Sequence, residues 1–274
     1  ITPIDGVPVA ETWIKGVPRF DGLMTISRYG VQALRSQGAR DRWGRPARHL
    51  PMGVDPQEFA YAPPEERAYL RECAGLPPLG TTVLGGFMAN QGRKCWPEVL
   101  ELFGRYRAEY DPGAVLLCDT DRASPGGGWN LPELAEQIAW TRKLSPFVEG
   151  LRFRDEVQAK VKRNARGEPV GTLGLRDRMA VCDIAVQLAY REGYGLPIAE
   201  CQSVGTLTLA QNYCSGQELC GNDRGLLVRT YGPGWFGGWG NALDMDPDME
   251  HALELLGWAR ENPIAAAAIT EKAR

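Results

Sequence analysis

The residues best suited to chemistry in this sequence are two carboxylates that bracket a glycine-containing loop. Glu192 and Glu200 stand eight positions apart, with Gly193 and Gly195 between them. Glycine has no side chain to keep a ligand away from the backbone. A carboxylate beside such a loop can accept paired hydrogen bonds from vicinal sugar hydroxyls, which is how α/β folds hold a ribose. The pattern therefore predicts a nucleotide- or sugar-binding loop, although paired glutamates in a glycine loop are, taken alone, most often surface residues.

The segments on either side of this loop favour the binding interpretation. Residues 183–189 predict a buried strand before it, and residues 197–204 predict a short helix with Pro197 in its first turn and Gly205 past its end. In an open α/β sheet, ligands bind beyond the carboxyl ends of the strands, where helix N-termini present free amides and the positive end of a dipole. We therefore expect a phosphate to fit at this loop.

The rest of the chain predicts the sheet that such a loop requires. From about residue 80, short apolar runs alternate with amphipathic stretches, the pattern of a parallel sheet covered by helices. The predicted strands are 81–87, 114–118, 147–151, 183–189, 206–210 and 225–228, and the predicted helices are one that begins near Pro97 and those at 131–144, 175–181 and 197–204. The predicted fold class is therefore α/β, with one doubly wound Rossmann-like domain.

The segments before and after this domain are less regular. At the amino end we expect a strand at 22–26, a helix at 28–36 and a turn-rich hinge at 51–56, too little to build a doubly wound half of its own. At the carboxyl end, Asp246 is predicted to cap a helix. The basic stretch 152–170 is read as an exposed insertion rather than a polyanion-binding patch. The Gly-rich stretch 232–240, with Trp235 and Trp239, is read as a loop.

Composition excludes several classes of protein. The chain has 274 residues with 43% hydrophobic and 24% charged residues, which is ordinary globular usage, and its net charge of -3 does not favour a polyanion partner. Its two histidines stand apart, and its seven cysteines form no CxxC pair, so no metal is expected. No apolar run is long enough to span a bilayer, and an odd number of cysteines in apolar runs is typical of a reducing compartment. We therefore predict a soluble cytoplasmic protein.

Several ordered motifs resemble a known family. The pair Glu192 and Glu200, followed by Gly205-Thr206 and residues 225–228, is similar to the donor-binding domain of retaining glycosyltransferases of the GT-B fold, family 4. The stretch 53–56 with Phe59 resembles that family's hinge, although Met52 replaces the usual Asn. Residues 21–27 and 86–94 resemble two further family segments, so the likeness extends from about residue 20 to residue 260.

The resemblance implies roles for individual residues. Glu200 would hold the donor ribose, and Glu192 would lie by the transferred sugar. Arg93 and Lys94 would neutralise the diphosphate, since stabilising a departing nucleotide is mainly electrostatic work. Weaker expectations concern a serine at a strand end, an acid near the reacting carbon and several loop or strand residues that would contact the donor, namely Ser27, Asp5, Gly193, Tyr194, Gly195, Leu196 and Gly86.

The amino end departs from the family pattern. Family members carry a full N-terminal domain, whereas this chain starts with Ile1-Thr2-Pro3-Ile4. We therefore expect a truncated acceptor-side domain at 1–54, a donor domain at 55–245 and a helical segment at 246–274 that packs back toward the hinge. If the chain is complete as it stands, half of the cleft is absent and catalysis is doubtful.

The predicted function is that of a retaining, metal-independent glycosyltransferase of the hexosyltransferase type, which uses a nucleotide diphosphate sugar and needs no cofactor. Two alternatives stay open. A GT-B nucleotide-sugar epimerase would use the same donor site without an acceptor, and a non-catalytic binding module would bind nucleotide without turnover. A Rossmann dehydrogenase is disfavoured, because no G-x-G-x-x-G follows the first strand of the donor domain. The acceptor is unidentified, a nucleic acid being a weaker expectation than a glycan or small molecule, and so is the oligomeric state.

Overall fold

The structure is a computed structural model and describes residues 1, 3–4, 7–124, 127–144, 147–158, 173–235 and 243–274. Its strands are β1 (Met24–Thr25), β2 (Arg48–His49), β3 (Val83–Gly86), β4 (Val115–Cys118), β5 (Leu151–Phe153), β6 (Ile184–Gln187), β7 (Leu207–Gln211), β8 (Leu226–Val228), β9 (Thr230–Trp235) and β10 (Leu243–Pro247). Its helices are α1 (Glu11–Gly16), α2 (Arg28–Ser36), α3 (Pro64–Ala74), α4 (Trp96–Glu109), α5 (Leu131–Arg142), α6 (Arg154–Gln158), α7 (Leu175–Ala180), α8 (Leu196–Val204), α9 (Gly216–Cys220), α10 (Met249–Glu261) and α11 (Pro263–Ala273).

The main sheet has six parallel strands in the order β5-β4-β3-β6-β7-β8. This is the doubly wound arrangement, in which the chain runs outward from β3 in one direction and then returns to continue outward from β6 in the other. The neighbours β3 and β6 therefore mark the point where the strand order reverses. The predicted α/β fold class is confirmed, and every strand predicted from residue 81 onward, except that at 147–151, coincides with an observed strand.

Both faces of the sheet are covered, which explains why its central strands β3, β4, β6 and β7 are buried along their whole length. On one face α4, α5 and α10 contribute a large core in which Trp96 and Phe103 are fully buried. On the other face α3, α7 and α8 contribute a second core around Phe87 and Met179. The sheet thus lies between two packed layers, and the loops at the ends of its strands are left to form a site.

The amino-terminal fifty residues form a small unit of their own. β1 and β2 pair in parallel, and α2 lies beside them over a core that includes Leu23 and Leu34. α2 begins where predicted, because the Ser27 hydroxyl accepts a hydrogen bond from the Gly30 N–H at 3.1 Å and so caps the helix.

Three local predictions were wrong. The run 147–151 forms a short 3-10 turn over Phe147–Gly150 and the strand starts only at Leu151, since Phe147 packs edge-on against Phe103, with ring centroids 6.1 Å apart. Asp246 lies within β10, and it is Asp248 that caps α10 by accepting from the His251 N–H at 3.0 Å.

The third correction concerns the stretch 232–240. Its first part belongs to β9, which pairs with β10 as an antiparallel hairpin. Residues 236–242, with Trp239, lie outside the described residues, as do positions 159–172 of the basic stretch. No helix within the described ranges is long and apolar enough to cross a membrane.

Candidate functional site

Two loops meet where the strand order reverses, because β3 and β6 are neighbours and both are followed by loops at the same edge of the sheet. The loop after β3 ends in Arg93–Cys95, and the loop after β6 begins at Leu188. Their backbones are joined by hydrogen bonds from the Cys95 N–H to the Leu188 carbonyl, 3.3 Å, and from the Tyr190 N–H to the Arg93 carbonyl, 3.1 Å. The sheet topology therefore aligns two segments that are far apart in the sequence.

This alignment brings Lys94 against Glu192. The Lys94 ammonium donates to Glu192 Oε2, and the Arg93 guanidinium lies 3.8 Å from the same oxygen. Arg93 also donates to the Arg191 carbonyl at 3.1 Å. Burial lowers the pKa of Lys94, while the charge of Glu192 opposes that shift. The three predicted charged residues thus form one cluster, in which Glu192 helps the buried Lys94 to keep its proton.

A shallow, open concavity lies beside this ion pair. Its walls include side chains from both loops and from the strands and helices behind them, among them Lys94, Gln187, Glu192, Gln211 and Tyr213. Met88 and Ile198 add apolar surface. Among the residues that the structure describes, no group of three or more His, Cys, Asp or Glu side chains could hold a metal ion.

The start of α8 closes one side of the concavity. Gly195 precedes the helix with φ of 89°, a left-handed conformation that favours glycine. A Cβ at this position would stand 3.0 Å from Ile198 Cδ1 and 3.4 Å from Glu192 Cγ. None of the described hydrogen bonds uses the N–H of Gly195 or Leu196. These amides and the helix dipole make the loop a candidate anion site.

The two glutamates do not share the concavity. Glu192 lines it, whereas Glu200 lies in the second turn of α8, is half-buried, and is not among the lining residues. Burial, with a further contribution from Glu58, raises the pKa of Glu200. None of the described hydrogen bonds occupies its carboxylate oxygens, so they are available to a ligand. Of the two predicted glutamates, Glu192 is the one that lines this concavity.

The loop is also tied to the hinge and to the amino-terminal unit. The Tyr194 hydroxyl donates to the Met52 carbonyl at 2.7 Å. Glu218 of α9 accepts from the Arg28 N–H at 2.7 Å and lies 3.6 Å from His49. The predicted residue Ser27 is fully buried as the cap of α2, directly before this contact. These contacts place the amino-terminal unit across from the loop.

The remaining predicted site residues have other surroundings. Gly86 is buried at the end of β3, where a Cβ would come within 2.8 Å of the Trp96 ring, so its role in the structure is close packing. Gly193 is buried within the loop between Glu192 and Tyr194. Asp5 lies outside the described residues.

Several residues that shape the site carried no signal in the sequence analysis. Ser215 donates to the Glu192 carbonyl at 3.0 Å and so fixes the backbone of that residue from α9's amino end. Gln211 and Tyr213 reach the concavity from the end of β7. Nothing in the local sequence distinguishes Ser215 or Tyr213, because their partners are distant in the chain. A signal was available only for Gln211, a polar residue that ends an apolar strand.

Comparison with known proteins gives matches only at the level of structure. No protein-family model and no curated protein matches the sequence. HepE from Anabaena, solved with UDP and glucose, superposes with a TM-score of 0.67 at 16% identity, covering 96% of this chain and 60% of that chain. A glycosyltransferase from Rickettsia africae ESF-5 gives 0.66 at 14% identity, covering 99% and 62%. The C-terminal domain of the glycosyl transferase group 1 protein LpcC from Francisella tularensis gives 0.57 at 19% identity, covering 81% and 94%.

These likenesses confirm the predicted fold. The matched structures are glycosyltransferases of the GT-B fold, group 1 type, and the chain shares that fold. The chain spans about 60% of the length of HepE and 62% of the length of the Rickettsia enzyme. In contrast, 81% of the chain covers 94% of the isolated LpcC domain. The matched part therefore covers 94% of one isolated C-terminal domain of this fold.

Proposed function

Because the chain has the fold of the GT-B glycosyltransferases, we propose that it binds a nucleotide diphosphate sugar and transfers the sugar to an acceptor hydroxyl with retention of configuration and without a metal ion. UDP and UDP-glucose occupy the related HepE structures, so a uridine nucleotide is the first donor to test. The domain limits proposed from the sequence, 1–54, 55–245 and 246–274, belong to the same proposal.

The observation that carries the proposal is the Lys94–Glu192 ion pair beside the concavity. A departing nucleotide diphosphate develops negative charge that preorganised cations can stabilise without a metal. Lys94 offers a compact charge and Arg93 a planar fork, and both stand at the carboxyl edge of the sheet where α/β folds bind phosphates. The amides of Gly195 and Leu196, which donate none of the hydrogen bonds in the described part of the chain, add donors for the same anion.

The remaining residues support a division of labour. Glu200, whose oxygens accept none of the described hydrogen bonds, would hold the two ribose hydroxyls. Glu192 would contact the transferred sugar and keep Lys94 protonated. In the reaction, the bond between the anomeric carbon and the phosphate oxygen breaks while the acceptor oxygen bonds to the same face of that carbon. The acceptor's proton passes to the leaving phosphate oxygen. Glu192 as a covalent nucleophile is a less favoured route, because its carboxylate is held by two cations.

A thermal-shift screen tests the donor half of this proposal directly. The chain is melted with uridine, guanosine and adenosine diphosphates and with the matching nucleosides. A ligand at 100 times its Kd stabilises by about 2.7 kcal/mol, which raises the melting temperature measurably. We expect one diphosphate to stabilise the protein more than its nucleoside. The absence of a shift with all three diphosphates contradicts the proposal.

Product analysis separates transfer from the alternatives. With the preferred donor and a panel of glycan and small-molecule acceptors, a transferase releases nucleotide diphosphate and forms a product whose anomeric configuration is read by NMR. Donor alone that converts to its epimer indicates an epimerase, and binding without release of nucleotide indicates a binding module. An excess of chelator leaves the rate unchanged if the reaction needs no metal.

The compartment is a further part of the proposal. All seven cysteines are buried and none forms a disulfide, which fits a reducing environment such as the cytoplasm. Burial raises the pKa of Cys118, Cys182 and Cys201, so these thiols are poorly disposed to react.

A further inference from the structure

A buried amide at the end of β7 supports the loop that carries Glu192. Gln211 is only 3% exposed. Its side-chain oxygen accepts from the Ala189 N–H at 2.7 Å, and its side-chain nitrogen donates to the Met245 carbonyl, also at 2.7 Å. A single side chain therefore provides the hydrogen-bond partner of one backbone group in the loop and of one in β10. A buried backbone group without such a partner costs free energy.

A second connection runs parallel to the first. Arg191, directly before Glu192, forms an ion pair of 2.7 Å with Asp244 of β10, and both residues are buried. The Met245 N–H donates to the Tyr190 carbonyl at 3.4 Å. Three separate contacts thus join residues 189–191 to the two β10 residues Asp244 and Met245.

These contacts enclose the loop from two sides. On one side the Leu188–Tyr190 backbone pairs with Arg93–Cys95, and on the other side it is held by Gln211 and β10. Glu192 directly follows Arg191, which the ion pair with Asp244 holds, and Lys94 belongs to the segment Arg93–Cys95 that pairs with the loop. Movement of the segment would change the distance between the Glu192 carboxylate and the Lys94 ammonium.

We propose that Gln211 and the Arg191–Asp244 ion pair are positioning residues, which hold the loop against β10 and thereby set the contact between Glu192 and Lys94. The β9–β10 hairpin is in this way a structural part of the site, although it lies outside the six-stranded sheet. The consequence for catalysis rests on the function proposed above, whereas the effect on the Lys94–Glu192 contact does not depend on it.

The contact can be measured without any substrate. The chain has six lysines, at positions 15, 94, 143, 160, 162 and 272. Reductive methylation with ¹³C-formaldehyde gives each a methyl signal that titrates with its own pKa, and Lys94→Arg assigns the signal of Lys94. When Glu192→Gln is the only substitution, it should lower the midpoint of the Lys94 titration, because the carboxylate stabilises the ammonium. The size of that change reports the coupling between the two side chains.

The test repeats this measurement in three further proteins. In Gln211→Leu and in the near-isosteric Asp244→Asn, the effect of Glu192→Gln on Lys94 should fall to about half or less of its original size. Gln202→Leu is the control, because Gln202 is also a buried amide that bonds backbone carbonyls, those of Leu219 and Arg224, away from the loop. There the full coupling should persist.

The outcomes separate positioning from a general structural role. If folded Gln211→Leu and Asp244→Asn retain the full coupling, the proposal is overturned. If Gln211→Leu does not fold, the coupling measured in Asp244→Asn alone tests the proposal, and full coupling there overturns it. The readout also stays valid if no nucleotide binds, so failure of the proposed function and failure of this inference are distinguishable. Where nucleotide does bind, the two variants should weaken the diphosphate more than the nucleoside, and Gln202→Leu should weaken neither.

Discussion

Lys94 and Glu192 are 98 residues apart in the sequence, and their side chains form an ion pair at the edge of the sheet. The pair exists because β3 and β6, which carry their loops, are neighbours at the point where the strand order reverses. Lys94 is almost completely buried, and Glu192 is about one-quarter exposed on the side of the concavity, with a side-chain exposure of 24%. The first prediction concerns the cation of this pair.

Replacing Lys94 should weaken binding of a nucleoside diphosphate. A hydrogen bond to a charged group contributes about 1.5–3 kcal/mol, so Lys94→Ala should reduce the affinity by about 10- to 100-fold while leaving the affinity for the nucleoside unchanged. Arg93→Ala should have a smaller effect, because its side chain is 33% exposed and stands farther from Glu192. Isothermal titration calorimetry measures both affinities. Lys272→Ala, which removes a surface cation paired with Asp223, is the control. If Lys94→Ala reduces the affinities for the diphosphate and for the nucleoside equally, Lys94 does not bind the diphosphate.

Nucleotide affinity should depend on pH through Glu200. Burial raises the pKa of this carboxyl above its usual range, and the ionised form is the one that accepts two ribose hydroxyls. Affinity should therefore be greatest above the raised pKa and fall as the pH drops through it, by at most about tenfold per pH unit. Glu200→Gln should bind more weakly at high pH and lose this dependence.

The matched control for that experiment is Glu254→Gln, which changes an exposed carboxyl of α10. It should keep the pH profile of the unsubstituted protein. A Glu200→Gln variant that binds as tightly as the original chain across the whole pH range would show that Glu200 does not hold the ribose.

Gly195→Ala should damage the site more than the fold. The left-handed backbone costs an alanine about 1–2 kcal/mol, and its Cβ would press on Ile198 and Glu192 at 3.0 and 3.4 Å. Gly38→Ala has a comparable φ of 70° and open space around it. Urea unfolding should report a loss of stability in both variants, the larger one in Gly195→Ala because of the Ile198 contact, whereas diphosphate affinity should fall only for Gly195→Ala. Equal diphosphate affinities in the two variants would show that the loop at Gly195 does not belong to the binding site.

The cap of α10 can be assigned by a pair of substitutions. Asp248→Ala should lower the free energy of unfolding by about 0.5–2 kcal/mol, because the Asp248 carboxylate accepts from the His251 N–H and from the Tyr231 hydroxyl. Asp246→Ala should change it by less than about 0.5 kcal/mol, since Asp246 is an exposed residue of β10. Denaturant unfolding measures the free energy of unfolding of both variants. A larger loss for Asp246→Ala than for Asp248→Ala would show that Asp246 is the cap, as the sequence predicted.

The regular part of the fold could be read from the sequence because it depends on local patterns. The apolar run before Glu192, the proline at the start of α8 and the glycine after it have short-range physical causes, and the structure places β6 and α8 there. The same holds for the apolar stripe of α4. Predictions failed where a neighbour distant in the sequence decided the outcome, as Phe103 did for Phe147 and β9 for Asp246.

For the site, the sequence determined which residues could do the chemistry: a glycine loop between a strand and a helix, acids at positions 192 and 200, and the basic pair at 93 and 94. Only the tertiary structure decided how they combine: it pairs the Lys94 ammonium with the Glu192 carboxylate, and it leaves Glu200 out of the concavity that Glu192 lines. It also supplied Gln211 and the Arg191–Asp244 pair. The physical reason is that propensity and periodicity act over a few residues, whereas contacts between loops follow from the order of strands in the sheet, which pairs segments about a hundred residues apart.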